Sequence, residues 1–175
     1  MNIKKLVITI LSNSRLVFAL CFAACAFVLL TAVFLQYVVG LAPCALCIVQ
    51  RVFFALVGLT CLIAAIYNPQ KVGTFVYVIF SYLFVFAGSA AAIRQIYIQD
   101  MPLDQMPACL PNLDYMLDVL PLDEIIKLFI YGTAECAKLD WTLFGIGIPE
   151  WSLITFLGLS IGLGIICFNN LKIKK

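Results

Sequence analysis

The chain has 175 residues, 65% of them hydrophobic and only 11% charged, with a formal net charge of +2. That composition excludes an ordinary soluble domain, and without a basic stripe it excludes a nucleic-acid binder. It fits one integral membrane domain over residues 1–175, with the lipid bilayer as its solvent.

Four apolar runs are long enough to cross a hydrocarbon core of roughly 30 Å at about 1.5 Å rise per helical residue. They occupy residues 16–37, 48–66, 72–93 and 151–168. The expected fold is all-α, a four-helix transmembrane bundle with a long outer loop. In the first run, Phe22-Ala23-Ala24-Cys25 has the outline of a lipoprotein cleavage site. The run continues to Leu35, too long for a cleaved signal and right for an anchor. Residues 88–92 and 158–162 supply small side chains that let the third and fourth helices approach their neighbours closely.

All nine acidic residues lie from Asp100 to Glu150, between the third and fourth runs, accompanied there only by Arg94, Lys127 and Lys138 among the basic residues. Lys4, Lys5, Arg15, Lys71, Lys172, Lys174 and Lys175 lie at the opposite ends of the runs. Lysine and arginine bias sets membrane orientation, so both termini and the 67–71 turn are expected in the cytoplasm. Loops 38–47 and 94–150 then face the same oxidising compartment.

Eight cysteines divide by position. Cys21, Cys25, Cys61 and Cys167 fall inside the apolar runs, where a thiol behaves as a small hydrophobe. Cys44, Cys47, Cys109 and Cys136 fall in or at the edge of the two outer loops, and an even number there points to two pairs. Cys44 and Cys47 form a C-x-x-C, a small ring that opens readily to an attacking thiolate. Cys109 and Cys136 are the second pair by elimination. Two other readings stand beside the redox one: structural staples, or a four-thiolate zinc site, against which the wide spacing of Cys109 and Cys136 argues.

Pro43 suits a first helical turn, which sets Cys44 and Cys47 at the positive end of the second helix's dipole, where a thiolate is favoured. Arg51 follows Cys47 by four residues and shares its helix face. It either serves those sulfurs or snorkels to the headgroups.

The 94–150 segment is interrupted by Pro102, Pro107, Pro111, Pro121 and Pro149. Around Cys109 it reads as an exposed, extended strand that offers its sulfur to a soluble partner, or as a solvated linker. Residues 122–131 have one apolar helical face, predicting a short amphipathic helix either on the membrane surface or packed within the loop.

Cys44-Ala45-Leu46-Cys47 with Arg51, two further outer-loop cysteines, and Glu135-Cys136-Ala137 leading through Trp141 to Pro149-Glu150-Trp151 closely resemble the disulfide bond formation protein B (DsbB) family. The similarity runs from about Leu35 to the end of the fourth run. The resemblance implies a multi-pass protein of the bacterial inner membrane, whose four helices carry a long periplasmic loop. Such proteins reoxidise the soluble periplasmic thioredoxin-fold oxidase DsbA and pass the electrons to ubiquinone or menaquinone, the known route by which a bacterial periplasm is kept oxidising. Carried over by position, Cys109 takes the attack of reduced DsbA, and Cys136, so released, attacks Cys44. Cys47 is left as a thiolate beside the quinone, with Arg51 stabilising the sulfur and the reduced ring. A specialised DsbI-like paralogue with one dedicated partner is the alternative within enzymes; a non-catalytic zinc or stapled membrane protein is the alternative outside them. Two features depart from the family pattern. The segment before Cys109 is short, and the chain has no histidine, so Gln95 or Gln99 either makes the ring hydrogen bond or is simply an interfacial polar residue.

Overall fold

The computed structural model describes residues 13–101, 136 and 141–172. Within them four helices are long and apolar enough to cross a membrane: α1 Ser14–Tyr37, α2 Ala45–Tyr67, α3 Lys71–Gln99 and α4 Ile148–Lys172. Cys109 and the amphipathic segment 122–131 lie outside the described residues.

Each helix begins and ends for a local reason. Asn13 caps α1, its side chain accepting from the Arg15 backbone N–H at 3.2 Å. Cys44 caps α2 through its own sulfur, which accepts from the Cys47 N–H at 3.4 Å. Pro43 therefore sits just ahead of the cap rather than inside the first turn. Asn68 ends α2 in the left-handed region at φ 43°, its N–H bonded to the Ala64 carbonyl at 3.0 Å.

Helix α3 runs on past residue 93 to Gln99. At about 1.5 Å per residue its 29 residues span about 44 Å, well beyond the hydrocarbon core. Arg94, Gln95 and Gln99 are good helix formers, and the first helix breaker after them is Pro102. Helix α4 starts at Ile148 rather than 151 because Pro149 is tolerated in a first turn, where Glu150 also favours the helix dipole.

Ahead of α4 a two-residue turn joins strands β1 Thr142–Leu143 and β2 Ile146–Gly147, with Leu143 paired to Ile146. Phe144 at φ 57° and Gly145 at φ 78° give the doubly left-handed turn that matches strand twist. The Trp151 indole N–H donates to the Leu143 carbonyl at 3.4 Å, tying the hairpin to α4.

The helices form a closed ring in which α1 packs on α2, α2 on α3, α3 on α4 and α4 on α1. Lipid tails are as apolar as leucine, so close packing and interhelical hydrogen bonds hold such a ring. At its centre the Phe54 and Phe156 rings stack with centroids 4.0 Å apart. Gly88 makes that stack possible, since a Cβ there would stand 2.3 Å from Phe156 Cζ. Gly162 meets the Cys21 sulfur, whereas Gly158 has no described neighbour within 4 Å and plays no part in close approach. The Tyr82 hydroxyl donates to the Ser160 carbonyl at 2.7 Å across α3 and α4, and Arg15 Nε donates to the Ala65 carbonyl at 2.9 Å across α1 and α2. Cys21, Cys25 and Cys61 are buried in this core, as small apolar residues would be.

Candidate thiol redox site

At the end of the bundle where α2 begins and α3 finishes, Cys44, Leu46, Ile98 and Cys136 form a separate buried cluster, with Cys47 and Ala91 against it. The Cys44 Sγ–H donates to Cys47 Sγ at 3.0 Å, which sets the two C-x-x-C sulfurs side by side. Cys136 is only 1% exposed although it belongs to the acidic loop. Three of the four outer cysteines predicted from sequence thus share one site; the fourth, Cys109, falls outside the described residues.

The two C-x-x-C sulfurs are not equivalent. Hydrogen bonds to Cys136 and to Cys47, with burial added, push the Cys44 thiol up from its ordinary value. The helix dipole was expected to favour a thiolate at both positions; at Cys44 its neighbours and loss of solvent win instead. Cys44 is the proton-holding member, and Cys47 receives its S–H.

Two buried glutamines stand on the other side of Cys47. Gln95 Nε2 on α3 donates to Cys47 Sγ at 3.3 Å, and Gln50 Nε2 on α2 donates to Gln95 Oε1 at 2.7 Å. Gln95 was anticipated as a polar residue near the site. Gln50 was not, although its i+3 spacing from Cys47 on an apolar helix is the signal that marks it.

Arg51 lies on the same helix, half-buried. Its guanidinium donates to Gln36 Oε1 and, at 3.2 Å, to the Ala32 carbonyl, both on α1. The cation is therefore held between α1 and α2 beside the dithiol.

Cys44, Cys47, Gln50, Arg51 and Gln95 border one cavity of about 530 Å³, a size typical of small-molecule sites. Its walls include Phe27, Leu35, Phe54 and Trp141, with polar atoms from Cys47, Gln50, Arg51, Gln95 and Gln99. Gln99 Oε1 is buried there with no hydrogen-bond partner among the described residues. Those residues contain no cluster of three or more histidine, cysteine or acidic side chains able to hold a metal ion.

Comparison with known proteins agrees with this chemistry. The family profile described as "Disulfide bond formation protein DsbB" matches residues 14–166. Disulfide bond formation protein B of Stutzerimonas stutzeri is 50% identical over 151 residues, covering 86% of this chain and 93% of that one. Disulfide bond formation protein B 1 of Pseudomonas aeruginosa is 50% identical over 154 residues, covering 86% and 94%. The Hahella chejuensis protein of the same name is 44% identical over 146 residues, covering 83% and 88%. A membrane bundle of four helices, a C-x-x-C at its rim and relatives this similar over nearly their whole length lead to one conclusion: the chain belongs to the DsbB family of membrane disulfide bond formation proteins.

Proposed function

We propose that this protein oxidises the dithiol of a periplasmic DsbA-type protein and passes the electrons to a membrane quinone, ubiquinone or menaquinone. The supporting observation is that Cys44 and Cys47 both border the 530 Å³ apolar cavity while Cys44 also packs against Cys136 from the outer loop. That arrangement lets one pair of sulfurs exchange with a loop thiol and with a small apolar ligand in the cavity.

The relay balances sulfur by sulfur. The partner's thiolate attacks Cys109; the bond between Cys109 and Cys136 breaks, and Cys136 carries away the electron pair. Cys136 attacks Cys44 of the oxidised C-x-x-C, forming a Cys44 to Cys136 bond and releasing Cys47. The partner's second thiol displaces Cys109, which re-forms its bond with Cys136 and releases Cys44. The partner is oxidised by two electrons, which Cys44 and Cys47 now hold as a dithiol.

The cavity suits a quinone, because its walls are apolar and Arg51, Gln95 and Gln99 bring N–H donors to it for the ring carbonyls, while the buried Gln99 Oε1 can accept only from the O–H of the reduced ring. Arg51, Gln95 and Gln99 are the residues that would hold the ring. A quinone bound there would supply the acceptor for the two electrons and two protons of the Cys44 and Cys47 dithiol. In this reading the protein is a single domain of the inner membrane with both termini in the cytoplasm, an orientation that the distribution of its lysines and arginines supports.

The test is quinone reduction by purified protein with a reduced DsbA-type protein as donor, Cys44, Cys47, Cys109 and Cys136 being replaced by serine in turn. Each replacement is expected to abolish turnover. Full turnover with any of the four replaced refutes that residue's role, and inactivity of the unmodified protein refutes the reading.

A further inference from the structure

Gln50 and Gln95 are each only 3% exposed, deep in helices that are otherwise apolar. A buried amide is costly unless its donors and acceptor are paired, so two together call for a physical reason. Their hydrogen bonds supply one. Gln50 Nε2 occupies Gln95 Oε1 at 2.7 Å, which turns the other end of the Gln95 amide, Nε2, toward Cys47 Sγ at 3.3 Å.

We propose that Gln95 is a hydrogen-bond donor to the Cys47 sulfur when that sulfur is released as a thiolate, and that Gln50 is the positioning residue that keeps the Gln95 amide in its donating orientation. The proposal rests on the reading that Cys47 is the sulfur set free when Cys44 is attacked. It extends that reading by identifying what receives the charge.

The other groups facing Cys47 leave this role open. From α2, Cys44 offers its S–H at 3.0 Å, and that bond is lost as soon as Cys44 is bound to Cys136. Cys136 itself brings no cation. Among the described residues Arg51 is the only charged one on the cavity wall, and its guanidinium donates to Gln36 and Ala32 on α1. Helix α3 contributes Gln95 and Gln99, both neutral. In a poorly hydrated site a fixed amide donor stabilises an anionic sulfur without adding a charge that would itself need solvation. Cys47 Sγ also lies 3.6 Å from Gln95 Oε1, so a small rotation of the same amide serves the protonated thiol.

The experiment is the pH profile of Cys47 alkylation by iodoacetamide, read by mass spectrometry of its peptide in the full-length reduced protein in detergent. Gln95→Met, Gln50→Met and the double variant are compared with the unmodified protein. Methionine keeps side-chain length while removing the donor. Gln95→Met is expected to slow Cys47 alkylation roughly tenfold near neutral pH and to leave it unchanged at high pH, where the thiol is ionised regardless. Gln50→Met is expected to slow it in the same pH-dependent way, and the double variant to match Gln95→Met alone, because Gln50 acts through Gln95. An unchanged profile in Gln95→Met overturns the proposal, as does a slowing equal at every pH. A double variant slower than Gln95→Met by the full Gln50 effect overturns the positioning role. Gln95→Glu serves as a second variant that keeps a polar side chain without the donor, and it is expected to slow alkylation further. Faster alkylation of Cys47 in it sinks the idea equally. The readout uses neither quinone nor partner, so its failure is separate from failure of the electron route.

Discussion

Cys44 caps the helix that carries Cys47, and its sulfur lies 3.0 Å from the Cys47 sulfur. One cysteine thus serves as helix cap, proton holder and the atom against which Cys136 packs. The two members of the C-x-x-C, three residues apart, differ in their neighbours: Cys136 packs on the first, and the Gln95 amide donates to the second.

This asymmetry predicts a pH dependence. The raised Cys44 thiol holds its proton more tightly in the folded than in the unfolded chain, so its contribution to stability is present at neutral pH. It is lost progressively as the pH rises above the ordinary thiol value of about 8.5. The reduced protein is expected to lose stability toward alkaline pH, and Cys44→Ser to flatten that slope. Chemical unfolding in mixed detergent at a series of pH values measures it; a stability that rises with pH over that window contradicts the assignment.

Replacing Cys109 by alanine is expected to abolish oxidation of a DsbA-type partner while leaving Cys47 able to react at the cavity. The two events use different sulfurs. Partner oxidation and Cys47 alkylation measured on the same preparation check this, and unimpaired partner turnover counts against the role.

Arg51→Met is expected to raise the apparent KM for quinone roughly tenfold, since it removes a charged donor from the cavity wall. Membrane insertion should be unaffected, because the apolar span remains. Steady-state quinone kinetics decide; an unchanged KM returns Arg51 to a purely structural contact between α1 and α2.

Gly88→Leu is expected to destabilise the bundle by about 1–3 kcal/mol or more, because its side chain enters space filled by the Phe156 ring. Gly158→Ala, where nothing described lies within 4 Å, should change stability by no more than about 0.5 kcal/mol. Equal effects of the two substitutions would falsify the packing assigned to Gly88.

The four spans were legible because a run of about 20 apolar residues is a strong membrane signal. Their ends were less so. Helix α3 carries on through Arg94 to Gln99, since polarity ends a lipid-facing run but does not end a helix. The hairpin before α4 was missed because its turn holds Phe144 at positive φ, where asparagine or aspartate is the usual sign. The C-x-x-C and Cys136 were legible as candidate site residues, which the structure brings together, and Arg51 as a residue on the same helix. The bond between Gln50 and Gln95 was not, because it joins positions on different helices that only the packing of α2 on α3 brings together. The unequal character of Cys44 and Cys47 was hidden for the same reason: it arises from burial and from Cys136, not from the helix dipole that sequence alone exposes.

The most direct measurement is a single turnover of the oxidised, quinone-loaded protein with one equivalent of a reduced DsbA-type protein, following quinol and partner disulfide together. The account predicts one quinol for each partner disulfide, with the Cys44 and Cys47 pair oxidised again at the end. Partner disulfide formed in full while the quinone stays oxidised and Cys44 and Cys47 remain thiols would contradict it.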